Sequence, residues 1–204
     1  MARDSVLSVT EENNFVLVDH PRPNVALVTL NRPERMNSMA FDVMVPLKKV
    51  LEELTYENST RVIVLTGAGR GFSSGADHKS AGSVPHIGGL TRPTFALRSM
   101  EVLEDVILAL RKMHQPVIAA VNGAAIGGGL CLALACDIRV AGAQAYFRAA
   151  GINNGLTASE LGLSYLLPRS DRHVSRLRAD ADRARRRRRR SRTHRPGVAD
   201  RAGR

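Results

Sequence analysis

Tryptophan is missing from this chain of 204 residues, and only five phenylalanines and three tyrosines supply aromatic rings. A protein that grips single-stranded nucleic acid by stacking needs such rings beside its basic groups, and none lies among the arginines near the C-terminus. Cysteine is scarce too. Cys131 and Cys136 lack metal-ligand spacing and suggest no disulfide framework, which points to a reducing, cytoplasmic setting. No apolar run reaches the length needed to cross a bilayer. Met1-Ala2-Arg3-Asp4 leads into polar residues, without the apolar stretch of a secretory leader. Neither a metal site nor a membrane partner is expected.

What is abundant is arginine, and its placement matters more than its amount. The formal net charge of +11 comes from the stretch after Ser170, which includes the unbroken run Arg185 to Arg190; before it the two signs nearly balance. The chain therefore divides into a globular part, residues 1–169, and an arginine-rich tail, residues 170–204, with no apolar periodicity and an expected lack of order. Phosphate neutralisation by such a tail is a conceivable nucleic-acid function, but no nucleic-acid partner is expected for the globular part.

Within the globular part, Phe15 to Asp19 and Val25 to Leu30 are β-rich runs, and Pro21-Arg22-Pro23-Asn24 between them predicts a hairpin. Met44, Leu47, Val50, Leu51 and Leu54 recur at helical spacing, with Pro46 expected to kink the helix or to lie near its start. Val62 to Thr66 and Pro116 to Val121 are continuous apolar runs, as in parallel strands buried on both faces. Between them lie a Gly- and Pro-rich segment from Ala81 to Pro93, expected to be a mobile flap, and a helix over Leu97 to Leu110. Gly127-Gly128-Gly129 precedes a small-residue helix over Leu130 to Ala135, and strands are expected at Ile138 to Ala141 and at Tyr146-Phe147. The alternation of strand and helix predicts an α/β fold with parallel strands.

A triple glycine after a strand is weak evidence alone, since it also serves any tight strand-to-helix turn. The combination is more specific. Asn31-Arg32-Pro33 with Met36-Asn37-Ser38 is followed by Leu65-Thr66-Gly67-Ala68-Gly69-Arg70-Gly71-Phe72-Ser73-Ser74-Gly75-Ala76-Asp77. Then come Gln115-Pro116 through Asn122-Gly123, the triple glycine, and Ala135-Cys136-Asp137-Ile138-Arg139. In order and spacing, over roughly Val16 to Arg169, these resemble the crotonase (enoyl-CoA hydratase/isomerase) superfamily. The resemblance implies a crotonase (ClpP-like) fold of repeated ββα units. It also implies action on acyl-CoA thioesters, as in fatty-acid β-oxidation. Coenzyme A would be part of the substrate, and no separate cofactor is implied.

Reactions next to a thioester pass through an enolate whose oxygen carries negative charge, and two fixed N–H donors stabilise it; loss of one such donor typically costs roughly 10²–10³ in rate. The resemblance assigns these donors to the amides of Ala76 and Gly128. Both lie in glycine-rich loops that let backbone approach a ligand closely. Gly128 also opens a helix, where an anion is favoured. The same resemblance places Arg35, Met36, Ser74, Lys79 and Gly127 in or beside the substrate-binding segments. Exposed surface roles for Arg35 and Lys79 are the plainer alternative.

The departures are equally informative. The family's hydratases carry one glutamate two residues after the triple glycine and another twenty positions later; here Cys131 and Gly151 stand there. General acid–base groups contribute roughly 10²–10⁴ in rate, so standard hydration is not expected. Cys131 is either a thiolate at a helix N-terminus or a small buried residue. Asp77 has a family counterpart that is more often structural. His78 and Glu160 are the remaining candidates for proton transfer. Arg148 replaces a small residue near the pocket, where it would meet a substrate carboxylate or Glu160.

The tail also admits a reading through the genetic code. Shifted by one base, permitted codons for Asp171 to Leu177 yield Ile-Gly-Thr-Ser-Arg-Ala, as relatives show at that place. The expectation is a frame-shifted C-terminus that lacks the family's C-terminal helical layer. That layer builds trimers, often paired into hexamers, and covers the acyl pocket. Two functions follow as alternatives: an acyl-CoA enzyme with a reaction other than standard hydration, or an inactive relic that at most binds CoA thioesters.

Overall fold

Val16–Arg22 (β1) and Val25–Leu30 (β2) form an antiparallel hairpin with Val16 opposite Leu30 and Val18 opposite Val28. The ladder shifts register between Asp19 and Arg22, where Pro21 cannot donate an N–H, and Asn24 takes the positive φ of 65° that closes the turn. The computed structural model describes residues 14–151 and 160–170. The chain divides after Leu166, and of the second unit, Leu167–Arg204, only residues 167–170 are described; residues 163–170 are helical. The sequence expectations for the arginine tail lie outside the described residues.

The hairpin edges a five-stranded sheet in the order β1-β2-β3-β5-β7, where β3 is Val62–Gly67, β5 Val117–Val121 and β7 Ile138–Ala141. From β2 onward the pairing is parallel, with Val28 beside Leu65, Ile63 beside Val117, and Ala120 beside Val140. A second, three-stranded parallel sheet contains Gly71–Ser73 (β4), Ala124–Ile126 (β6) and Tyr146–Arg148 (β8). β4 (Gly-Phe-Ser) and β6 (Ala-Ala-Ile) were not expected: each is three residues long with a single β-favouring side chain, Phe72 or Ile126, too little to mark a strand.

The expected double burial of the apolar runs is corrected. β3 and β5 bury alternate residues, so Ile63 and Leu65 face the core with Val117, Ala119 and Val121, while Val62, Val64, Ile118 and Ala120 are only half-buried; β2 alternates likewise. Helices cover one face of the sheet. Phe41–Thr55 (α1) contributes Val43, Met44, Leu47, Leu51 and Leu54 to that core, and Arg92–Lys112 (α2) contributes Val106, Ile107 and Leu110. Gly128–Ala135 (α3) is buried from Gly129 to Ala135.

Pro46 neither starts α1 nor ends it. The helix begins five residues earlier and runs through, leaving one backbone bond unmade. α2 begins before the expected Leu97, because Pro93 suits a first helical turn. The segment expected as a mobile flap is anchored at its start, since Ala81 O accepts from Phe41 N (2.6 Å) and Asp42 Oδ1 from Ser83 N (3.2 Å). No described helix is long and apolar enough to cross a membrane.

Two helix ends show what the motif residues do. The last turn of α1 has no basic residue, and Gln115 Nε2 donates to Leu54 O at 2.9 Å. At the end of α3, Arg139 reaches back to Cys136 O (2.7 Å) and Ala133 O (3.2 Å), while Asp137 Oδ2 accepts from Val117 N (2.9 Å). The polar residues of Ala135-Cys136-Asp137-Ile138-Arg139 thus cap a helix and align two strands.

Candidate active site

Two asparagines build the first glycine loop. Asn37 is fully buried with a positive φ of 51°. Its Oδ1 accepts from Arg32 N (2.9 Å), and its Nδ2 donates to Ala68 O (2.9 Å) and Gly71 O (2.8 Å). Asn122 approaches from the end of β5 and donates to Gly67 O and Gly69 O, both at 2.9 Å. Carbonyls that a tight turn leaves without backbone partners are thereby satisfied. Neither asparagine was given a role from sequence, although Asn122 lies between a strand and Gly123 and Asn37 lies between a 3₁₀ turn and Ser38, settings in which Asn serves a turn.

The segment ending this loop is fixed against residues 36–39. Ser74 N donates to Met36 O (3.0 Å), Met39 N to Gly75 O (2.8 Å) and Asp77 N to Met39 O (3.4 Å), a parallel bridge between Met39 and Ala76. Successive amides of an extended segment alternate in direction. With Asp77 N turned toward Met39, the amide of Ala76 points to the opposite side.

The side chain of Asp77 is turned onto basic groups. Its carboxylate accepts from Arg35 Nη2 (2.6 Å), Arg32 Nη1 (3.1 Å) and Ser38 Oγ (2.8 Å), and from the amides of Lys79 (2.9 Å) and Ser80 (2.8 Å). Burial alone would raise its pKa, but the Arg35 guanidinium, the two amides and the Ser38 hydroxyl override it and hold the carboxyl well below the usual range. The group is a fixed anion that pins Arg32 and Arg35.

The second loop leaves β6 at Ile126. Gly127 adopts φ 52° and ψ −117°, and its amide donates to Arg148 O (2.8 Å), continuing the pairing of β6 with β8. The next amide, that of Gly128, opens α3, where the first turn has no carbonyl to bond within the helix. The two loops approach closely at Gly75. A Cβ there would lie 2.6 Å from Ile126 O and 3.1 Å from Gly128 N.

Where they meet lies a cavity of about 90 Å³. Ala76, Gly127 and Gly128 form its backbone wall, and Cys131 and Gly151 lie on its lining. The rest is apolar and was missed in the sequence: Met39, Met100 and Leu103 of α2, then Leu161 and Leu163. No local signal marks them, since distant segments bring them together. Among the described residues the lining carries no carboxylate, imidazole or ammonium group.

Of the other residues expected at the site, Arg35, Met36, Ser74, His78 and Lys79 are not on this lining; Arg35 and Ser74 are half-buried, and His78 and Lys79 are exposed. Met36, at a left-handed φ of 53°, packs toward Gly71, and its sulfur lies 3.1 Å from Arg70 Nε. Arg148 lies in the exposed strand β8 and meets the second loop through its carbonyl. Glu160 begins a short 3₁₀ turn, Glu160–Gly162, and its side chain lies outside the described residues. Cys131 is a buried lining thiol. The Cys136 thiol bonds Leu132 O (3.3 Å) and is pushed up to about 12 by burial, only partly offset by the charge of Arg139. No described group of three His, Cys, Asp or Glu side chains could hold a metal ion.

Comparison with known proteins follows this geometry. The sequence profile of a family described as enoyl-CoA hydratase/isomerase matches residues 21–176. A probable enoyl-CoA hydratase of Mycobacterium bovis is 80% identical over 157 residues, which cover 77% of this chain and 55% of the relative. The chain thus spans about half the length of the curated relatives it matches. Among solved structures, a probable enoyl-CoA hydratase/isomerase from Mycobacterium abscessus aligns with a TM-score of 0.71 and 73% identity, covering 76% of this chain and 56% of that one. A structure described as a monofunctional enoyl CoA isomerase from M. smegmatis aligns with a TM-score of 0.60 and 67% identity, covering 76% and 61%.

Proposed function

Because the chain belongs to the enoyl-CoA hydratase/isomerase family, we propose that it binds acyl-CoA thioesters with the carbonyl oxygen between the amides of Ala76 and Gly128. The carrying observation is the single cavity that both residues line, with Gly75 at close range to Gly128 N. A thioester oxygen placed there meets two N–H donors and the N-terminal end of α3. Developing enolate charge is then stabilised by dipoles already in position. The exposed Lys79 and the half-buried Arg35, which Asp77 holds in place, are assigned to the anionic part of coenzyme A.

The proposed reaction is migration of a double bond rather than addition of water. Hydration needs one group to activate water and a proton for the α carbon, and Cys131 and Gly151 offer no carboxylate for either. Moving a proton between the α and γ carbons needs one carrier, which we assign to Glu160. The description of the M. smegmatis structure as an enoyl CoA isomerase supports the same choice. The apolar lining favours one alternative, a protein that binds the thioester without turnover.

The test supplies 3-enoyl-CoA and 2-enoyl-CoA separately and follows the absorbance of the conjugated thioester. Turnover of the first without hydration of the second, abolished by Glu160→Gln while affinity is kept, is the expected result. Binding without turnover of either supports the alternative. No affinity beyond that for free coenzyme A would sink both.

A further inference from the structure

The cavity beside the two amides also constrains which acyl groups enter it. It measures about 90 Å³, well under the roughly 150 Å³ of an engineered cavity that just takes benzene. An aromatic ring is therefore too large, while a few methylene groups fit. Its walls are as selective as its size. Asp77, next to Ala76 in the chain, is turned onto Arg32 and Arg35 and engages both guanidiniums. A second carboxylate or a hydroxyl on the acyl chain would face Met39, Met100 and Leu103 with no described side chain to pair with.

Met100 lines the cavity from α2. It sits on α2, between the exposed first part of that helix and the buried Val106 and Ile107, and its unbranched side chain can be shortened without removing a core residue.

We propose that the site selects short, unbranched, uncharged acyl chains, and that Met100 on α2 limits their length. The inference rests on the thioester reading above, and the experiment separates the two. Saturated thioesters serve as unreactive probes: acetyl-, butyryl-, hexanoyl-, decanoyl-, phenylacetyl- and succinyl-CoA are titrated calorimetrically into the full chain and into two variants.

Butyryl- or hexanoyl-CoA should bind best, with decanoyl-, phenylacetyl- and succinyl-CoA weaker by roughly tenfold or more, the scale of discrimination an apolar pocket achieves. Met100→Ala should move the optimum toward decanoyl- and phenylacetyl-CoA. Met100→Phe should do the reverse, losing hexanoyl-CoA while keeping acetyl-CoA. Opposite shifts exclude general damage as the cause. Equal affinity for phenylacetyl- or succinyl-CoA and butyryl-CoA overturns the inference, as does an unchanged ranking in both variants; the thioester reading survives either. If no probe binds better than free coenzyme A, both fall.

Discussion

A carboxylate that accepts five hydrogen bonds, from two arginines, a serine and two backbone amides, is held as an anion and does not also shuttle protons for a substrate. Asp77 is such a group, and its neighbour Ala76 gains its fixed position from it. Asp77→Asn leaves Arg32, largely buried, with only the exposed Glu34 at 3.8 Å as counter-charge, and should cost about 3 kcal/mol, the scale for removing one partner of a buried pair. Urea unfolding would measure it. The pH dependence has a definite sign. The folded carboxyl lies below its unfolded value of about 3.9, so its contribution is complete above that value and is lost as pH falls through it toward the folded one. The acid limb of the stability curve should therefore be shallower in Asp77→Asn than in the parent chain. Equal limbs would contradict this account of Asp77.

At the scale of elements, the site is a junction between the segment that follows β4 and the turn from β6 into α3. β4 and β6 pair in parallel, so the segments following them leave the sheet side by side. Gly75 and Gly127 let them do so, with φ of 83° and 52°, both in the region a side chain disfavours. Gly75→Ala would place a methyl 2.6 Å from Ile126 O and force the turns apart. Turnover of a thioester should fall by roughly 10²-fold, as when an oxyanion donor is removed, and its affinity should fall with it. Calorimetry measures this, and a circular dichroism melt shows that the sheet persists. Unchanged affinity would mean that the junction does not bind the thioester.

For the whole molecule, the last strands of both sheets are apolar on the outside. Ile138 and Val140 of β7 are 52% and 58% exposed, and Tyr146 and Phe147 of β8 are 52% and 45% exposed. An unprotected, apolar edge strand pairs readily with another chain. The parent chain is expected to self-associate, and Val140→Lys to give a more monodisperse peak in size-exclusion chromatography without changing thioester affinity. A monodisperse parent chain would refute that expectation. The excess of arginine that dominates the net charge lies in residues 171–204, outside the described part.

The strand segments of the large sheet, the helix over Met44 to Leu54 and both glycine loops were legible in the residues, because periodicity, glycine and proline act over a few positions and announce themselves locally. So was the lack of carboxylates at Cys131 and Gly151, which is a matter of residue identity. Burial on one face only, the passage of α1 through Pro46, and the second sheet were not, since each depends on what packs against the segment rather than on the segment. The cavity belongs wholly to tertiary structure. Its lining joins residues 39, 76, 100, 128, 151 and 161, and contacts across such separations exist only once the chain has closed its loops and surrendered the entropy of doing so.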